Sequence, residues 1–174
     1  MKKSVILFLA LIALYTCYAL CFRQSETAQL PKDSIAPEIE LLSPKGKILK
    51  LSSLRGKMVL LDFWASWCGP CRKESPNVVE AYRKYHKKEF INAQGFEVFS
   101  VSLDRDQNDW KKAILADKLN WKYHVLDAQG LAAANYQVST IPNAFLIDGQ
   151  GNIIASGVEL RGLNLHITLD KYLK

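Results

Sequence analysis

Runs of apolar residues alternate along this chain with stretches of helical periodicity. Continuous apolar runs at 58–64 and 96–103 predict two central strands that are covered on both faces. Between them, an apolar stripe at three- and four-residue spacing predicts a helix from 70 to about 90. Shorter strands are predicted at 38–42, 48–51, 123–126, 143–147 and 152–156, and further helices at 108–119, 131–136 and 163–173. This order predicts an α/β domain with a central mixed sheet and helices on both sides.

The N-terminal apolar segment is of a different kind. Residues 4–22 carry no charge and follow Lys2 and Lys3, so they predict a membrane anchor that places the rest of the chain outside the cytoplasm. A cleaved signal peptide, with 5–14 as its apolar region, is one alternative. The other is lipidation of Cys17, which ends a loose bacterial lipobox. All three interpretations export the domain.

The chain is therefore divided into an N-terminal targeting segment (1–22), a polar tether (23–36) and one folded domain (37–174). The tether has neither strand nor helix periodicity. The net charge of +6 comes from 23 basic and 17 acidic residues in a chain of 174. These charges are spread along the chain and form no dense basic patch, so we expect no nucleic-acid partner. Four cysteines in a chain of this length exclude a disulfide-dense small scaffold.

Cys68 and Cys71 lie in the sequence WCGPC, directly after the 58–64 strand and at the start of the next helix. As a structural disulfide, the pair would close a loop of only four residues and would stabilise the fold by only about 2 kcal/mol. A zinc site would need two more ligands at a matching spacing, and the three histidines are scattered. A redox dithiol needs no further group, so it is favoured. We expect no metal and no cofactor beyond a redox-active Cys68–Cys71 disulfide.

Position in the helix distinguishes the two thiols. Pro70 favours the first helical turn, which places the Cys68 sulfur at unpaired backbone N–H groups and at the positive end of the helix. This environment lowers the pKa of the Cys68 thiol and makes it a better leaving group. Cys68 is therefore predicted to attack the substrate, and Cys71 to be the more buried, resolving thiol.

The stretch VLLDFWASWCGPC at 59–71 closely resembles the active-site strand and loop of thioredoxins. The segments APEI at 36–39, LSSLRGK at 51–57 and CRKESP at 71–76 resemble more narrowly the TlpA/ResA-type thiol-disulfide oxidoreductases, which are membrane-anchored or periplasmic relatives of the AhpC/TSA proteins. The resemblance extends over about residues 36–173.

This resemblance implies a thioredoxin fold with a central strand-and-helix insertion around 104–126, besides the N-terminal β-hairpin that the strand pattern predicts. It also implies thiol-disulfide exchange outside the cytoplasm, often the reduction of apocytochrome c before haem attachment. The same resemblance implies functional roles for two carboxylates, Asp62 and Glu74. Asp62 matches the thioredoxin aspartate that accepts the proton of the resolving thiol, and an ion pair with Lys57 is the structural alternative. Glu74 matches a functional glutamate of ResA-like proteins, and a solvated helix residue is the alternative.

The sequence around Ile141 and Pro142 resembles the cis-proline loop that faces the active site in this family, although an ordinary trans proline is the alternative. Together with Trp67, Gly69 and Pro70, these two residues are predicted to form the substrate-docking surface. Ile141 before the proline and the Gly69–Pro70 dipeptide resemble reducing thioredoxins, which favours a reductant.

These inferences predict an exported enzyme that reduces protein disulfides, is anchored by residues 4–22 and receives electrons from a membrane dithiol donor. A disulfide oxidase or isomerase is the alternative, and it would use the same residues to form or rearrange disulfides. A thiol peroxidase shares the fold, but the peroxide-reducing relatives carry Thr three residues before their reactive Cys, where this chain has Ala65. A non-catalytic recognition module on the same fold is a further alternative.

Overall fold

The structure is a computed structural model that describes residues 30–174. The predicted membrane segment, its lipobox and residues 23–29 of the tether lie outside the described residues. None of the helices between residues 30 and 174 has the length and apolar character needed to cross a bilayer. The strands are β1 (Glu40–Leu42), β2 (Ile48–Lys50), β3 (Met58–Trp64), β4 (Glu89–Phe90), β5 (Ala93–Gln94), β6 (Phe96–Ser102), β7 (Tyr123–Leu126), β8 (Asn143–Ile147) and β9 (Ile153–Ser156). The α-helices are α1 (Gly69–Tyr85), α2 (Gln107–Ala116), α3 (Leu131–Asn135) and α4 (Leu163–Asp170), and short 3₁₀ turns occupy Leu51–Leu54 and Gly157–Leu160.

A five-stranded mixed sheet forms the centre of the domain, in the order β7-β6-β3-β8-β9. The pairs β7–β6 and β6–β3 are parallel, whereas β3–β8 and β8–β9 are antiparallel. β3 lies in the middle of the sheet, and all of its residues except Asp62 are buried, as its continuous apolar sequence predicts. β1 and β2 pair as a separate antiparallel hairpin. The predicted mixed sheet and N-terminal hairpin are confirmed.

Side chains of β3 point alternately to the two faces of the sheet and build two cores. Met58 and Leu60 pack in the core that α1, α2 and α4 complete. Val59 and Leu61 pack in the opposite core, together with α3 and the 3₁₀ turn that precedes β3. Helices therefore cover both faces, as predicted. The alternation places Asp62 on the face covered by α1, the helix that carries Cys71.

Helices α1 and α4 are among those that end earlier than their apolar patterns predict. α1 ends at Tyr85 instead of near Phe90, and α4 ends at Asp170 instead of at Leu173. Phe90 and Leu173 continue the apolar patterns because both pack against the core around Tyr85, but their backbones pair with each other in an isolated β-bridge. An apolar pattern records which side chains are buried, and it does not record where the helical hydrogen bonds stop.

The segment 104–126, predicted to be an insertion, contains α2 and β7. β7 lengthens the sheet by pairing with β6. α2 ends at Ala116, before its predicted limit at Leu119, and the buried Leu119 belongs to the loop that leads into β7. This loop passes beside the start of α1, where it helps to enclose the candidate site.

Candidate active site

A disulfide joins Cys68 and Cys71 at the N-terminus of α1, with an S–S distance of 2.01 Å. The backbone N–H of Cys71 donates a hydrogen bond of 3.2 Å to the Cys68 sulfur, so Cys68 caps the helix. Pro70 lies in the first turn, as predicted. The N–H donor and the positive helix end are both placed to stabilise a thiolate on Cys68 when the pair is reduced.

The prediction that Cys71 is the more buried thiol of the reduced pair stays a prediction, because the structure contains the oxidised form. The exposed fractions are 5% for Cys68 and 4% for Cys71, because the S–S bond draws both sulfurs against the end of the helix. The two residues differ in their surroundings instead. Cys71 lines a cavity inside the domain, and Cys68 does not.

This cavity has a volume of about 10 Å³, which accommodates about one water molecule. Four of the predicted site residues line it: Asp62 from β3, Cys71 and Glu74 from α1, and Pro142 from the loop before β8. Residues of α1 and of the loop before β7 complete the lining, namely Ser75, Val78, Leu119 and Trp121. The fold therefore brings two carboxylates, the sulfur of Cys71 and the proline loop to one place.

Asp62 is the polar residue of β3 and is partly buried. No ion pair of the described residues includes it, so the structure does not form the alternative pair with Lys57. Removal from water and, to a smaller extent, the nearby charge of Glu74 together raise the pKa of Asp62 to about 7. Asp62 can therefore gain or lose a proton near neutral pH while it lines the same cavity as Cys71.

Glu74 is partly buried and lies one turn after Cys71 on the inward face of α1. Its Oε1 accepts two hydrogen bonds of 2.7 Å, from the backbone N–H of Gly162 and from the side-chain amide of Asn77. The first bond ties α1 to the residue that precedes α4. Glu74 is therefore held in place at the cavity and is not a freely solvated helix residue.

The predicted docking residues lie on the surface around the disulfide. The Ile141–Pro142 peptide bond is cis, as the resemblance implied. Trp67 is 66% exposed, Gly69 and Pro70 are also exposed, and Ile141 is partly buried. Of these five residues, Pro142 alone reaches the cavity beside Cys71. The predicted docking residues therefore lie on an outer face around the disulfide, and the cavity beside Cys71 lies behind this face.

Two tertiary contacts at this site have no motif in the sequence. Arg161 donates a hydrogen bond to the carbonyl oxygen of Pro142. Asp104, which follows β6, is buried and accepts hydrogen bonds from the backbone and the hydroxyl of Ser66, two residues before Cys68. The local signal for Asp104 was a charged residue directly after an apolar strand, and no local signal singles out Arg161.

Comparison with known proteins adds a family context to this geometry. The AhpC/TSA family matches residues 33–156. Over its whole length the chain is 33% identical to the thiol-disulfide oxidoreductase ResA of Bacillus thuringiensis subsp. konkukian, 98% of which is covered. The thioredoxin domain of a thiol-disulfide oxidoreductase from Bacteroides vulgatus is a similar solved structure, with a TM-score of 0.74 and 37% identity over 83% of this chain and 99% of that one. A thiol:disulfide interchange protein from Bacteroides sp. has a TM-score of 0.72 and 37% identity over 83% of this chain and 91% of its own.

Proposed function

The chain belongs to the AhpC/TSA family and is a thiol-disulfide oxidoreductase of the ResA type, and from this premise we propose that it reduces the disulfides of proteins outside the cytoplasm. The observation that supports this reaction most directly is the shared cavity of Cys71 and Asp62 beneath a helix-capping Cys68. The reducing direction is supported by Ile141 and by the Gly69–Pro70 dipeptide, which resemble reducing thioredoxins.

In the proposed reaction the reduced protein donates two electrons. The Cys68 thiolate attacks one sulfur of the substrate disulfide, and a mixed disulfide forms while the first substrate thiolate leaves. Cys71 then loses its proton to Asp62, and the Cys71 thiolate attacks the Cys68 sulfur. This second step forms the Cys68–Cys71 disulfide and releases the second substrate thiolate, so the substrate is reduced and the enzyme is oxidised.

The reduction potential of the Cys68–Cys71 pair tests the direction of electron flow. The purified full chain in detergent would be equilibrated with defined dithiol buffers, and we expect a value near that of thioredoxin, about −270 mV. A value near that of a strong disulfide oxidant, about −120 mV, would show that the protein works as an oxidase.

Turnover would then be measured with insulin and with a peptide that carries an oxidised CxxCH motif, because the resemblance to TlpA/ResA-type proteins supports apocytochrome c as one substrate.

A peroxidase has less support from the same site. Ala65 occupies the position at which the peroxide-reducing relatives carry Thr, and it is completely buried in the core. It offers no hydroxyl group beside Cys68. Consumption of peroxide by the reduced protein would show that it is a peroxidase after all.

The proposed location rests on the charge-free segment 4–22 and on the two lysines before it. A reductant outside the cytoplasm must itself be reduced again, so the proposal includes a membrane dithiol donor. We expect the full chain to stay in the membrane fraction after alkaline washing, and Cys68 of reduced, intact spheroplasts to react with a membrane-impermeant maleimide. Labelling that requires lysis would contradict the location.

A Cys17→Ser variant separates the two kinds of anchor, because it is released from the membrane only if a lipid on Cys17 holds the protein.

A further inference from the structure

Asp104 is a buried carboxylate, 2% exposed, at the end of β6. Its Oδ1 accepts a 2.6 Å hydrogen bond from the hydroxyl of Ser66. Its Oδ2 accepts one of 2.9 Å from the backbone N–H of Ser66 and one of 2.6 Å from the hydroxyl of Ser102. A buried carboxylate is costly unless donors surround it, and here three donors do so. Two of the three belong to Ser66.

Ser66 lies in the turn that connects β3 to α1. The backbone N–H of Cys68 closes this turn on the carbonyl oxygen of Ala65 at 3.1 Å. The next residue after Ser66 is Trp67, which is 66% exposed and directly precedes Cys68 of the disulfide. Trp67 and Asp104 line the same surface depression. Asp104 therefore holds Ser66 in place. The position of Trp67 depends on Ser66, because the two residues are adjacent in the turn.

We propose that Asp104 is a positioning residue for the docking of protein substrates, an inference that rests on the proposed function and deepens it. By holding both the N–H and the hydroxyl of Ser66, Asp104 fixes the 65–68 turn and the direction of the Trp67 ring before a partner arrives. A preordered surface binds more tightly, because less conformational entropy is lost on association. Asp104 has no hydrogen bond to either cysteine among the described residues, so its loss acts on docking and not on the exchange step.

Asp104→Asn tests this role with two disulfide substrates of different size. Insulin presents a protein surface, whereas 5,5′-dithiobis(2-nitrobenzoate) presents little beyond its disulfide. We expect Asp104→Asn to raise the KM for insulin about tenfold, as for the loss of a charge-assisted hydrogen bond, and to leave kcat within about twofold. The rate with the small disulfide should also stay within about twofold.

Asp148→Asn is the matched control. Asp148 is also buried, at 7% exposure, and its Oδ1 accepts backbone hydrogen bonds from Gln150 and Asn152 at 3.0 and 2.8 Å. It lies in the turn between β8 and β9, at the end of the sheet opposite the disulfide. Its replacement should leave both substrates unaffected, even where it lowers the melting temperature as much as Asp104→Asn does.

A second readout follows Trp67 itself. In protein labelled with 5-fluorotryptophan, the Trp67 resonance is assigned with Trp67→Phe, and Asp104→Asn should shift or broaden this resonance more than those of the other three tryptophans. An insulin KM within twofold of the wild type, or equal losses with both substrates, would overturn the inference. If Asp104→Asn does not fold, Ser66→Ala decides in its place. This variant removes the hydroxyl contact and keeps the backbone N–H contact, so it should raise the insulin KM less than Asp104→Asn does, by about threefold.

Failure of the proposed function has a different signature. A wild-type protein that does not reduce insulin contradicts the proposed function. The fluorine spectrum still determines whether Asp104 holds Trp67, because it requires no turnover. An unchanged Trp67 resonance in Asp104→Asn would then overturn the positioning role.

Discussion

Replacing Cys71 with serine is expected to lengthen the life of the mixed disulfide between Cys68 and its substrate by at least about 10³-fold. Cys71 is tethered one helical turn from Cys68, with 5.3 Å between their Cα atoms, so its attack on the mixed disulfide is intramolecular. Without Cys71, the adduct is resolved only by free thiols in solution, at millimolar concentration. Multiple-turnover reduction of insulin should fall by a similar factor.

Non-reducing electrophoresis and intact-protein mass spectrometry measure this adduct directly. The Cys71→Ser protein should carry one covalently bound partner, which a reducing agent releases. Cys68→Ser and the double variant are the matched controls and should carry none. Normal turnover by Cys71→Ser would contradict the assignment of the resolving thiol, and an adduct on the double variant would show that another cysteine reacts.

Replacing Asp62 with asparagine is expected to stabilise the oxidised protein at pH 8 by up to about 4 kcal/mol, and to have little effect at pH 4. The pKa of Asp62 is about 7 in the folded protein, against an ordinary value of 3.8. The native state therefore favours the protonated form, so the contribution of Asp62 to stability is complete below about pH 4 and is lost as the pH rises through 7. At about 1.4 kcal/mol per pKa unit, this loss amounts to about 4 kcal/mol, and asparagine does not incur it.

Chemical denaturation of the oxidised wild type and Asp62→Asn at several pH values measures the difference. We expect the difference in the free energy of unfolding to grow between pH 4 and pH 7 and then to level off. Parallel curves over this range would contradict a raised pKa for Asp62. Glu74→Gln provides a second variant, because removing the charge of Glu74 should lower the pKa of Asp62 and move the pH dependence to lower pH.

The same substitution should slow the second chemical step. Asparagine cannot accept the Cys71 proton, and a positioned general base typically contributes on the order of a hundredfold or more. Single-turnover release of the second substrate thiol should therefore be slower in Asp62→Asn, while formation of the mixed disulfide by Cys68 should change little. Equal slowing of both steps would mean that Asp62 acts mainly on the structure around the disulfide.

Much of the fold could be predicted from the sequence because its main strands and helices are marked by short, local patterns of apolar residues. The seven residues of β3 match the predicted strand at both ends, since the apolar run begins directly after Lys57 and the polar turn at Ser66 follows soon after Trp64. The predicted family, fold and enzyme class are confirmed by the AhpC/TSA match and by the similarity to ResA and to the solved thiol-disulfide oxidoreductases. The predicted helix limits at 90 and 173 are wrong, because Phe90 and Leu173 pack against the core from two distant segments that pair through a backbone bridge.

The reacting unit could be located from the sequence alone, because Cys68, Pro70 and Cys71 lie within four residues and the geometry of a helix N-terminus follows from local backbone preferences. The tertiary structure decided everything that depends on residues far apart in the chain. Packing of β3, α1 and the proline loop around one cavity determines how much water reaches Asp62, and this burial raises its pKa. The bonds from Gly162 to Glu74 and from Ser66 to Asp104 join segments that carry no mutual signal in the sequence. Desolvation and long-range hydrogen bonding are properties of the folded chain, since neither exists until the distant segments have packed together.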